Sequence, residues 1–114
     1  MAIAHTPTTR TTGRTDLAPM LRDLIPFRNT TGSLRGERVD AFRPDILHSW
    51  LDAETRAAFY ADDAGARIDF VVWSYGTPIA WHTGNGWRIP DRRYSVTTSR
   101  HQSQVRRGIS GANQ

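Results

Sequence analysis

The sequence of 114 residues contains no cysteine. Without thiols there is no disulfide framework, no cysteine-ligated zinc and no sulfur nucleophile. Lysine is absent as well, and all 15 basic residues are arginine. Each of them stays charged at any relevant pH and presents a planar fork to phosphate or carboxylate. No apolar run approaches the roughly 18 residues that a membrane span needs. The first ten residues, MAIAHTPTTR, lack the charged start and long apolar run of an export signal. The expectation is a cytoplasmic chain, in a host or an infected cell, with no membrane contact.

What is present is an uneven distribution of charge. The formal net charge is +4, but residues 40–69 sum to −4, with seven acids against three arginines, and residues 70–114 sum to +5, with six arginines against Asp91. The C-terminal third is therefore the cationic pole, the part expected to meet an anionic partner.

The length suits one domain with a modest core. Residues 1–14 are rich in threonine, without apolar periodicity, and read as a flexible tail; residues 110–114 read the same way. The domain between them, 15–109, is expected to be α+β: a small antiparallel β-meander with two or three short helices. Leu17, Met20, Leu21 and Leu24 recur at helical spacing behind Asp16, a plausible cap, and Pro26 closes that helix. Thr31 to Val39 reads as an irregular or edge strand. Ile46, Leu47, Trp50 and Leu51 form an apolar cluster, and an alanine-rich helix follows from Asp52 until Asp62-Asp63-Ala64-Gly65 turns the chain. This helix is expected to cross one face of the sheet.

Arg67 to Tyr75 has the strongest strand pattern, apolar on both faces and so central or doubly covered. Gly76-Thr77-Pro78 marks a reversal. Ile79 to Thr83 is the next strand, Gly84-Asn85-Gly86 a hairpin turn, and Trp87 to Ile89 the return. A last short strand is expected over 92–96, then a helix from about Thr98 to Arg107 stopped by Gly108. On that helix Thr98, His101 and Val105 share one side, while Arg100, Gln104 and Arg107 share another, with Arg106 nearby.

Two linked motifs, SYGTPIAW (with Tyr75, Gly76, Thr77, Pro78 and Trp81) and YSVTTSRHQ (with Tyr94, Ser95, Thr97, Thr98, His101 and Gln102), flank a Gly86-Trp87 turn. In these residues the chain resembles a family of small uncharacterised proteins from actinobacteriophages, other phages and mobile elements. The resemblance covers about the last 45 residues, with a weaker likeness around Leu51 to Tyr60. It implies a phage or prophage context and no particular activity.

Three readings of function stay open. The first is a non-enzymatic binding module that meets nucleic acid or an acidic host-protein surface through Trp87, Arg88, Arg92, Arg93, Arg100, Gln104, Arg106 and Arg107, since arginines contact phosphates and aromatic rings stack on bases. Trp73 and Trp81 are expected in the core, leaving Trp87 as the exposed stacking candidate. The second is a small hydrolase or transferase using His101 with Thr97, Thr98 or Tyr94. The third is an oligomerising structural protein that pairs through the strand Arg67 to Tyr75. No cofactor is implied. His82, Asp91 and His101 lack the spacing of a metal site, and the hydroxyls of 95–99 read as helix caps rather than a phosphate loop.

Overall fold

The computed structural model describes residues 8–39, 52–90 and 96–112. The apolar cluster 46–51 and the strand expected at 92–96 concern residues outside this set, apart from Val96, which opens a helix. Six strands, β1 (Thr9–Thr11), β2 (Phe27–Asn29), β3 (Leu34–Arg38), β4 (Phe70–Ser74), β5 (Thr77–Thr83) and β6 (Gly86–Arg88), form one sheet in sequence order. All neighbours are antiparallel except β1 and β2, which run parallel. The described residues also form three helices, α1 (Ala18–Asp23), α2 (Ala53–Ala66) and α3 (Val96–Ala112). The fold is thus α+β, a mostly antiparallel sheet with helices.

Alternation along the central strands separates two cores. Phe70, Val72 and Ala80 point to one face, where they pack with Phe27, Leu34 and Ile79 against Leu17, Met20 and Leu21 of the α1 region and Val105 and Ile109 of α3. Val71, Trp73 and Trp81 point to the other, with Val39, Ile68 and Phe59 of α2. Every residue of β4 is buried. Both of its faces are covered within the chain, so the strand that could have paired between subunits is already central to the domain. A bulge lets β5 serve the first core twice: the register passes from Val72↔Ala80 to Trp73↔Pro78, leaving Ile79 as the extra residue beside Pro78, which has no N–H to give.

Several local expectations are corrected. Thr9–Thr11, read as tail, is an edge strand: Thr9 N–H donates to the Pro26 carbonyl at 2.9 Å and Thr11 is buried. Leu34–Arg38 lies between β2 and β4 rather than at an edge. Its Gly36 has no side chain because a Cβ there would stand 2.4 Å from the Phe27 ring, which stacks on Phe70. α2 runs through Asp62-Asp63-Ala64-Gly65 to Ala66 and ends where Arg67 takes a positive φ of 50°, with Asp63 Oδ1 accepting from the Ile68 N–H just beyond.

Gly108 does not stop α3, and residues 110–112 are helical rather than a tail. The glycine is there for approach, not for a turn: a Cβ on it would meet Leu21 Cδ1 at 2.8 Å and Leu17 Cβ at 2.9 Å. One turn on, a Cβ on Gly111 would sit 3.0 Å from that of Ala18. These two positions let α1 press onto α3.

Candidate functional site

The reversal between β4 and β5 is a two-residue turn in which Tyr75 and Gly76 both have positive φ, 52° and 82°. Glycine accepts that conformation freely. A tyrosine held there costs about 1–3 kcal/mol, and such strain gathers at functional positions. Tyr75 is nonetheless 61% exposed, so burial does not compensate.

The ring of Tyr75 stacks on the imidazole of His101, centroids 5.9 Å apart at 30°. The imidazole is fixed from beneath: its Nδ1 is 2.8 Å from the hydroxyl of Ser74, the last residue of β4, and that hydroxyl also bonds Thr98 Oγ1 at 3.1 Å. Burial lowers the pKa of His101 below its ordinary 6.5, which favours the neutral ring at pH 7. The two sequence motifs therefore meet in space, SY of the first against the Thr98–His101 turn of the second. Ser74 is the residue that sequence reasoning missed. Its only signal was its place at the start of the first motif, and its role depends on a partner 27 positions away.

Ser74 is 1% exposed and Thr98 is buried. A hydroxyl so enclosed, shared between a threonine and an imidazole, orients the ring and has no open side for attack on a substrate. Thr97 is exposed on the rim, and Tyr94 lies outside the described residues. His82 has a separate partner, with Nδ1 2.7 Å from Asp69 Oδ1. Among the described residues no three His, Asp or Glu side chains gather as a metal site would require.

The outer face of α3 carries Arg100, Arg106 and Arg107, all exposed, and the helix contains no acid. Arg100 and Arg107, seven residues apart, are on one ridge, separated by roughly 10 Å along the axis. Beside this ridge opens a groove of about 570 Å³, lined by Thr97, Arg100, His101, Ser103, Gln104 and Arg107 and bounded by Gly13. No carboxylate among the described residues lines it. A second groove, about 430 Å³, continues past Arg14, Asp16 and Arg107. Among the described residues Arg14, Arg100, Arg106 and Arg107 have no ion-pair partner.

Other expected interface residues have inward duties. Gln104 is buried, its Nε2 donating to the carbonyls of Thr12 and Thr15 at 2.8 and 2.9 Å, which holds the loop before α1 against α3. Gln102 donates to the Pro90 carbonyl at 3.0 Å. Trp87, expected to be exposed, is half-buried and meets Phe70 and His82 edge-on at 5.9 and 5.2 Å.

Arg88 grips Asp62 through both Nε and Nη2, although its own side chain stays 55% exposed. Asp62 also accepts from the indole N–H of the fully buried Trp81 at 2.8 Å. Burial would raise the Asp62 pKa, but the bonds from Arg88 and Trp81 and the guanidinium charge outweigh it and hold the carboxyl below its ordinary 3.8. Arg92, Arg93 and Ser95 lie outside the described residues. Of the eight residues expected at the interface, then, Arg100, Arg106 and Arg107 share an open face, and Arg14 joins them from the other end of the chain.

A model of a family of unknown function, DUF8033, matches residues 29–114. No curated protein and no solved structure matches the chain.

Proposed function

The chain belongs to that family of unknown function, and we propose that it is a non-enzymatic binding module of phage or mobile-element origin that contacts nucleic acid through the outer face of α3, in the cytoplasm of the host. The observation that carries this reading is the run of Arg100, Arg106 and Arg107 on a helix without acids, beside a groove that no carboxylate among the described residues lines. Guanidinium groups spaced along one ridge suit the repeated charge of a phosphate backbone, and the release of condensed counterions supplies the affinity. The motif resemblance set out above supports the phage context. The enclosed Ser74 hydroxyl weighs against an enzyme built on His101.

Fluorescence anisotropy with labelled DNA and RNA, titrated with salt, tests the proposal. Affinity is expected to fall steeply with salt, and each of Arg100→Gln, Arg106→Gln and Arg107→Gln is expected to lower the slope of log K against log salt by about 1. Absence of binding to every nucleic acid at low salt would overturn it and leave an acidic host-protein surface as the partner to seek.

A further inference from the structure

We infer that the open face of Tyr75, backed by His101, stacks an unpaired base of a single-stranded nucleic acid whose phosphates follow Arg100 and Arg107. This rests on the nucleic-acid reading above and deepens it by naming the kind of strand.

Four observations carry it. Tyr75 is 61% exposed, with one ring face against the imidazole and no other ring contact among the described residues. It occupies a positive-φ position that asparagine or glycine would fill with less strain, so the turn itself has no need of an aromatic ring. The imidazole beneath it is held by the Ser74 hydroxyl, so the platform is rigid before any ligand arrives. Finally, the imidazole that backs Tyr75 itself lines the groove with Arg100 and Arg107, which brings the stacking platform next to the depression that holds two phosphate-binding groups.

Aromatic platforms beside cationic grooves bind single strands, because an unpaired base offers a free π-face. A duplex, its bases already stacked inside, meets only the arginines. The site therefore discriminates by strandedness, with little regard for base identity.

The test compares a fluorescein-labelled oligothymidylate, its abasic counterpart and a duplex of the same length at low salt. Tyr75→Asn is expected to weaken oligothymidylate binding roughly 5- to 150-fold, leaving the salt slope and duplex affinity unchanged because no charge is lost. Tyr75→Phe keeps the ring and is expected to bind as the unmodified protein does. With that unmodified protein, the abasic strand is expected to bind as weakly as oligothymidylate binds Tyr75→Asn, a comparison that does not depend on the folding of a variant. If Tyr75→Asn binds oligothymidylate undiminished, or the abasic strand binds as tightly as the intact one, stacking is overturned while the arginine face stands. If nothing binds at all, both proposals fall together.

Discussion

The Ser74 hydroxyl and His101 Nδ1 lie 2.8 Å apart, joining the end of the central strand to the first turns of the last helix. This bond sets which imidazole nitrogen faces inward, and through the ring it sets the orientation of Tyr75. Ser74→Ala leaves a half-buried nitrogen and the Thr98 hydroxyl without this partner. It is expected to destabilise the fold by about 1–3 kcal/mol. Urea denaturation measures the loss, and nitrogen-15 spectra of the imidazole are expected to show an altered tautomer balance.

His101 also predicts a pH dependence. Its folded pKa lies below the ordinary 6.5 because of burial, so on acidification the unfolded chain takes up this proton first. The stabilisation is complete above about pH 6.5 and is lost as pH falls through the lower folded value. Stability measured from about pH 8 to about pH 5 is expected to decline less steeply in His101→Gln than in the unmodified protein.

Asp62 joins α2 to the sheet by accepting from both Trp81 and Arg88. Asp62→Ala strands the buried indole N–H and is expected to cost about 1–3 kcal/mol. Asp62→Asn preserves an acceptor and is expected to lose less. Because its folded pKa is lowered, the carboxylate's contribution is present above about pH 3.8 and disappears as pH falls through the folded value. Thermal melts of the three proteins at neutral and acidic pH separate the two effects.

Two helical glycines are expected to respond oppositely to alanine. At Gly65 an added Cβ meets nothing within 4 Å, so Gly65→Ala is expected to stabilise by about 0.4–1 kcal/mol. At Gly108 the Cβ would press on Leu17 and Leu21. Overpacking of about 1–3 kcal/mol there exceeds the helix-propensity gain of about 1 kcal/mol, so a net loss is expected. Denaturant midpoints of both variants decide the signs.

The order of elements from Asp52 to Arg107 was largely legible because alternation and helical spacing are local signals. Phe70–Ser74 is buried on both faces as its apolar pattern implied, and Trp73 and Trp81 are in the core. The errors arose where distant residues decide local form. Thr9–Thr11 has no strand pattern of its own and is ordered by the backbone of β2, while Gln104 holds the carbonyl of Thr12 just after it. Gly108 reads as a helix end until Leu17 is known to lie against it. The site was half legible: its arginines and His101 stand out by type, but the engagement of Arg88 by Asp62 and the pairing of Ser74 with His101 depend on separations of 26 and 27 residues, which no local pattern encodes.

The seating of α1 on Gly108 and Gly111 bears on the kinship of the chain. The family match begins at residue 29, yet Leu17, Met20, Leu21 and Phe27 fill one of the two cores. Cut back to the matched span, the polypeptide would leave the glycine seam of its last helix facing water. The residues before the matched span therefore belong to the folded unit of this chain and are not an appendage to it.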